Sequence, residues 1–126
     1  MPITLNFSDD GETIEMVGSG DIGHEDILAA VREIYTSPVL AGIKYQLVDY
    51  SLVTSYKRVK SAAIEIVNLD RLTALKNPNM KIAIIAPGDL LFASARSWEL
   101  NLEEAPLETR IFRERGAAET WLFAGR

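Results

Sequence analysis

Hydroxyl and cationic side chains are concentrated in residues 49–60, between a short apolar run and an amphipathic one. They are Ser51, Thr54, Ser55, Lys57, Arg58 and Lys60. Thr54 or Ser55 could cap the following helix, whose first turn would then hold the three cations. Positive charge opposes the helix dipole there, so cations, hydroxyls and exposed N–H groups at one helix start favour an anion site. The pattern predicts binding of a phosphate or another acidic group, and it is equally typical of a solvated helix face.

Arg96 is a second possible anchor for an acidic ligand. It lies on the helix that follows the most apolar strand, Met80–Ala86, and could reach a ligand or a carboxylate. The alternative is a surface ion pair, which contributes little to stability.

Catalytic chemistry has little support in this sequence. His24 is the only histidine, and it stands beside Glu25 and Asp26 at a helix start, where we expect it to be exposed. A nucleophilic triad would have to join it to Ser51 and Asp49, yet no G-x-S-x-G elbow is present. Cysteine is absent, which excludes thiolate catalysis and zinc–thiolate sites. We therefore predict no catalytic residue, no metal site, no cofactor and no enzymatic activity.

Residues 18–23 match the dinucleotide-binding pattern G-x-G-x-x-G, with Asp49 at the end of the next predicted strand. The preceding strand alternates polar and apolar residues, whereas the central strand of a dinucleotide-binding fold is apolar on both faces. Asp21 and the acids that open the helix would repel a pyrophosphate. The glycines are better explained as a turn between strand and helix.

Hydrophobic periodicity predicts the elements that must position these residues. An opening hairpin turns at Asp9–Gly11, and three further strands alternate with helices of ordinary length. The predicted order is β-β-α-β-α-β-α-β-α. Such alternation is typical of an α/β fold with a mixed, mainly parallel five-stranded sheet flanked by four helices.

Composition limits the class of protein and its partners. The chain has 126 residues, 48% of them hydrophobic, and no composition shift or linker, so one domain over residues 1–126 is expected. The formal net charge of −5 disfavours nucleic acid as a partner. We find no secretory signal and no apolar run of membrane-spanning length, so we expect a cytoplasmic protein.

Several segments in a fixed order resemble one known family. They are Gly20–Asp26, Leu47–Ser51, Ile82–Ala86 followed by Ala95-Arg96, and Ile111-Phe112 followed by Ala118 and Trp121-Leu122. In this order and spacing the chain resembles the SpoIIAA-like family of STAS/SEC14-type domains over nearly its whole length. The resemblance implies a mixed sheet flanked by helices, with the glycine-rich segment as part of the scaffold.

The resemblance also implies two functions. The SEC14 analogy implies a small amphiphilic or lipid-like ligand between helices and sheet, for which Lys57, Arg58 and Arg96 would be polar anchors. The STAS analogy implies a protein-interaction switch, with a phosphorylatable serine that corresponds to Ser51. The sequence departs from the anti-sigma-antagonist pattern, since residues 49–52 lack a Ser-Ser-Gly run. A protein partner and a homodimer are both compatible with the second function.

Overall fold

A computed structural model describes residues 2–125 of the chain. Within that range it contains a five-stranded sheet, four α-helices and one short 3-10 helix. In chain order the elements are β1 (Ile3–Phe7), β2 (Thr13–Gly23), α1 (His24–Tyr35), the 3-10 helix (Leu40–Gly42), β3 (Tyr45–Lys57), α2 (Lys60–Lys76), β4 (Lys81–Ile85), α3 (Asp89–Leu100), β5 (Glu108–Phe112) and α4 (Arg115–Leu122).

The strands lie side by side in the order β1-β2-β3-β4-β5. The first pair is antiparallel and the other three pairs are parallel. The predicted mixed, mainly parallel α/β sheet with four flanking helices is therefore confirmed. Because the strand order never reverses, right-handed crossovers carry α1, α2 and α3 to the same face of the sheet.

The two faces of the sheet have separate hydrophobic cores. The larger core joins side chains of β1 to β4 to the apolar sides of α1, α2 and α3. On the opposite face, α4 alone covers Leu47, Ala83 and Ile85, through Ala118 and Leu122. Alternation along β3 and β4 sends neighbouring residues to opposite cores, as the two-residue period of a strand requires.

The glycine-rich segment is strand, so its prediction as a loop is wrong. Residues 18–23 belong to β2 and pair in parallel with the outer half of β3, with two irregularities in register. Gly20 has φ +67°, which glycine adopts without a steric penalty. A Cβ on Gly18 would lie 3.0 Å from Cδ1 of Tyr50. Gly18 thus lets β2 pass close to the Tyr50 ring, and Gly20 supplies the positive φ at one of the register irregularities. The segment is paired strand and forms no phosphate-binding turn.

Helix α2 begins later than predicted. Its first residue is Lys60 and its N-cap is Val59, which provides no side-chain cap. Thr54 and Ser55 lie in β3, so the prediction that one of them caps the helix is wrong. The reason is that β3 continues beside β2 as far as Lys57 and removes these hydroxyls from the helix start.

Candidate functional site

A cavity of about 280 Å³ lies between the sheet and helices α2 and α3. Helix α2 packs chiefly on α1, and α3 packs chiefly on β5, which leaves a space between the two helices over β3 and β4. Small side chains such as Ala63, Ser94 and Ala95 face the space between them and leave it unfilled. The floor is mostly apolar and is formed by Met16, Val48, Ile82 and Ile84, with Gln46 beside Ile82 on the same face.

Polar side chains are confined to particular parts of the cavity wall. They are His24, Gln46, Tyr50, Tyr56, Arg58, Lys60, Asn68, Asp70, Arg71, Ser94, Ser97, Trp98 and Asn101. A mostly apolar concavity with a few fixed polar groups is the usual form of a small-molecule site. Its volume lies near the lower end of the range of roughly 300–1,000 Å³ for such sites, so a bound molecule would be small.

His24 is buried, with 5% of its surface exposed, and the prediction of an exposed histidine is wrong. It opens α1 directly after β2, and this abrupt transition turns the ring beneath the start of α2. The backbone N–H of Val59 donates to Nδ1 of His24 over 3.0 Å. The Val59 carbonyl lies 3.1 Å from the same nitrogen and could accept a bond only from a protonated Nδ1. Because the Val59 N–H points at Nδ1 and needs a lone pair there, the ring proton is assigned to Nε2.

A hydrogen-bond chain runs from His24 across the mouth of the cavity. Nε2 of His24 donates to the hydroxyl of Tyr56, and that hydroxyl lies 2.7 Å from Oγ of Ser94. The chain thus connects the start of α1, the end of β3 and the middle of α3. Burial lowers the pKa of His24, the nearby carbonyl of Val59 opposes this by favouring the protonated ring, and the Arg58 charge adds to the lowering.

This chain is unsuited to general-base catalysis. A neutral imidazole whose acceptor nitrogen is held by a backbone N–H has no free lone pair to take a proton from Ser94. Burial also raises the pKa of Tyr56, so this phenol remains protonated at neutral pH. These groups are arranged to hold and present hydrogen bonds.

At the other end of the cavity, side chains connect α2 to α3. The indole Nε1 of Trp98 donates to Asp70 over 2.7 Å. One residue later, Arg71 donates to the carbonyl of Asn101 and pairs with Glu104 at 2.8 Å. Burial raises the pKa of Asp70 to about 7, against the opposing effect of the indole bond. These bonds join α2 to α3 at what we call the closed end of the cavity, and the opposite end, where α2 begins, is called the open end.

The open end carries positive charge. Arg58 and Lys60 line the cavity and are exposed to solvent, and neither makes an ion pair within residues 2–125. The Arg58 charge acts on both His24 and Tyr56. An acidic group at this opening would meet two cations beside hydroxyl and imidazole hydrogen-bonding groups.

The predicted cluster of hydroxyls and cations does not form. Ser51 lies in the exposed outer half of β3, and its Oγ donates to Asp49 over 2.5 Å. Ser55 donates to Asp21 of β2. Ser51 and Lys57 are six positions apart along the strand, which is about 20 Å at the usual rise. Lys57 therefore cannot pair with a phosphate on Ser51, contrary to the predicted arrangement.

Of the residues in the predicted anion site, Arg58 and Lys60 line the cavity. Thr54 is exposed on β3, and Lys57 is exposed at its end. Arg96 points to the far side of α3, where it pairs with Glu99 beside a shallow groove along β5. This is the surface ion pair that the sequence left open as the alternative for Arg96.

The sequence patterns did not identify most of the polar residues that line the cavity. Asp70 and Ser94 carry a usable signal, because each occupies a position on the apolar side of its helix, next to Ile66 and Ala95 respectively. Tyr56 offered none, since it follows five residues that were interpreted as a loop. Helical spacing alone would explain Trp98 as a packing residue, and the structure shows that its indole N–H also donates to a carboxylate.

Comparison with solved structures gives the fold a known class. An uncharacterized protein of the DUF3478 family with a SpoIIAA-like fold, from Shewanella loihica PV-4, is 23% identical over 95% of this chain and 91% of its own, with a TM-score of 0.55. The anti-sigma factor antagonist SpoIIAA in its unphosphorylated form is 11% identical over 98% of this chain and 99% of its own, with a TM-score of 0.62. No family model and no curated protein matches the sequence. The chain has a SpoIIAA-like fold, as the resemblance predicted.

No helix within residues 2–125 is both long enough and apolar enough to cross a membrane.

Proposed function

We propose that this chain is a non-enzymatic binding domain for a small amphiphilic molecule with an acidic group. The observation that carries the proposal is the cavity of about 280 Å³, which has an apolar floor and two cations at its mouth. The acidic group would lie beside Arg58 and Lys60, and the apolar part would contact Met16, Ile82 and Ile84. Burial of that apolar part would supply most of the binding free energy.

The hydrogen-bond chain supports binding over catalysis. His24 is neutral and its acceptor nitrogen is occupied, so Ser94 has no base beside it. The Tyr56 and Ser94 hydroxyls can still reorient to donate to a carboxylate or a phosphate. Their role in this proposal is recognition of the acidic group.

Titration of the full chain with straight-chain alkanoates and alkyl phosphates tests the proposal, with amide chemical shifts as the readout. We expect saturable shifts at His24, Tyr56, Ser94 and residues around them. Arg58→Ala should weaken binding several-fold, on the scale of an exposed charge pair. Lys57→Ala is the matched control, because this neighbouring cation does not line the cavity. Absence of saturable binding, or equal loss in both variants, would contradict the proposal.

A second candidate is a protein-interaction switch of the STAS kind, which the likeness to the anti-sigma factor antagonist SpoIIAA favours. In this version Ser51 is the phosphorylated residue, and its exposure on β3 makes it accessible to a kinase. The phosphate would be close to Asp49, which repels it, and to Arg115, which bonds Asp49 over 3.0 Å. Phosphorylation would then compete with Asp49 for Arg115.

Affinity capture with the wild type, Ser51→Ala and Ser51→Glu tests the second candidate. We expect a protein partner that is retained by one of the charge states and released by the other. Identical capture by all three chains, together with an unmodified Ser51 in protein taken from stressed cells, would rule it out.

A further inference from the structure

The closed end of the cavity holds a carboxyl group that the proposed function does not use. Asp70 lines the cavity, and one of its oxygens accepts the Trp98 indole bond. It makes no ion pair within residues 2–125, although Arg71 is its neighbour in sequence and pairs instead with Glu104. A partly buried carboxyl with only one neutral donor still has hydrogen-bonding capacity directed at the cavity.

The two polar ends of the cavity are separated by an apolar stretch. Lys60 and Asp70 are ten residues apart on α2, or about 15 Å along its axis. Ser94 and Trp98 are one turn apart on α3, or about 6 Å. Between them the wall is formed by Val67, Ile84 and other apolar side chains. A molecule that fills this space presents one end to the cations and the other to Asp70.

We propose that the ligand carries a hydroxyl at the end remote from its acidic group, and that Asp70 binds this hydroxyl. This inference rests on the proposed function and narrows the ligand class to hydroxylated amphiphilic acids. An apolar tip would leave the carboxyl desolvated against hydrocarbon, which is unfavourable. A hydroxyl can donate to the ionised carboxyl and accept from the neutral one, and both forms coexist near neutral pH.

Paired titrations of the full chain test this inference. One series is butanoate, hexanoate, octanoate and decanoate, and the other is the same acids with a terminal hydroxyl. At the best chain length we expect the hydroxylated acid to bind roughly tenfold more tightly, which equals about 1.4 kcal/mol. Amide chemical shifts give the affinities and report whether residues around Asp70 respond.

Variants separate recognition from a purely structural role of Asp70. Asp70→Leu should abolish the preference for the hydroxylated acid while it still binds the plain one. Asp70→Asn keeps a group that donates and accepts, so it should retain most of the preference. A structural role alone would change both ligands equally and would leave their ratio unchanged.

Each contrary outcome has a distinct meaning. Equal affinities for the two series in the wild type, or a preference that survives Asp70→Leu, would overturn this inference and leave the proposed function standing. Tighter binding of an amine-terminated acid than of the hydroxylated one would overturn the choice of a hydroxyl. Failure of the wild type to bind any member of either series would overturn the proposed function and this inference together.

Discussion

Asp49 and Asp70 are both withdrawn from water, on opposite sides of the same sheet, and their surroundings differ. Asp49 accepts bonds from the N–H and Oγ of Ser51 and from Arg115. Burial alone would raise its pKa, but these bonds together lower it. Asp70 has only the Trp98 indole, and burial raises its pKa to about 7. On the α4 side of the sheet the carboxylate of Asp49 is thus fully hydrogen-bonded, whereas on the cavity side the carboxyl of Asp70 has only one donor.

The same contrast holds for packing. The α4 core is small and closed, with Leu122 and Ala118 fully buried against Ala83 and Ile85. The other core is larger and contains the unfilled space between α2 and α3. Incomplete packing and an under-bonded carboxyl cost stability, and they occur together at the site that we propose for a ligand. The proposed site thus lies within the larger core, whereas within residues 2–125 the small α4 core is packed without such a space.

The largest effect should follow from opening a void in the closed core. Leu122→Ala removes a fully buried side chain between α4 and the sheet, and should lower the free energy of unfolding by about 2–5 kcal/mol. Urea denaturation followed by circular dichroism measures it. Leu75→Ala is the control, since this leucine is 74% exposed, and it should change stability by less than about 0.5 kcal/mol. Similar losses in both variants would refute the contrast in packing.

Opposite pH dependences should distinguish the two carboxylates. Asp70 has a raised pKa in the folded state, so the folded chain holds its proton more firmly and stability falls as pH rises from about 4 to about 7. For this one group, the free energy of unfolding falls by at most about 1.4 kcal/mol per pH unit. Asp49 has a lowered pKa, so its contribution is present above the pKa of the unfolded chain and is lost as pH falls below it.

Denaturation of Asp70→Asn and Asp49→Asn at several pH values measures these slopes. Relative to the wild type, Asp70→Asn should become more stable as pH rises through that window. Asp49→Asn should be less stable than the wild type at neutral pH, and this difference should disappear as pH falls below the pKa of Asp49 in the unfolded chain. Parallel curves for the two variants would mean that the carboxylates do not differ as described.

A smaller effect is expected from removing the cation that satisfies Asp49. Arg115→Met keeps the length of the side chain and removes its bonds to Asp49 and Glu15. The half-exposed arginine limits the cost, and we expect a loss of about 1–3 kcal/mol for the under-bonded carboxylate. Arg32→Met is the matched control, because Arg32 pairs with Glu65 and both side chains are exposed. Equal stability of Arg115→Met and the wild type would contradict the role given to this ion pair.

The smallest change in stability should come from filling the cavity. Ala63→Leu adds apolar volume where the wall is open, so the free energy of unfolding should stay within about 1 kcal/mol of the wild type. Binding of alkanoates should be lost, because the added side chain occupies the space of their apolar part. Unchanged stability together with loss of binding would support this cavity as the ligand site, and retained binding would show that the ligand lies elsewhere.

Local patterns in the sequence account for most of the fold. Alternation in residues 3–7 and 13–16, helical spacing in α1 and α2, and the apolar run at Ile82–Ile85 placed the elements in the right order. Boundaries failed where the backbone depends on a distant partner. Residues 18–23 and 51–57 look like loops in isolation, and they are strands because each pairs with the other.

Only the tertiary structure decided which side chains form the site. The sequence identified Arg58 from its charge, and Arg58 lines the cavity in the structure. The cavity lining does not include Ser51, Thr54, Ser55 or Arg96. His24, Tyr56 and Ser94 are more than 30 residues apart in pairs, and only the parallel crossovers bring them together. The sequence by itself determined the α/β class, the strand order along the chain and the lack of thiol chemistry, because these depend on local period and residue type. The cavity required the packing of α2 on α1 and of α3 on β5, which no local pattern encodes.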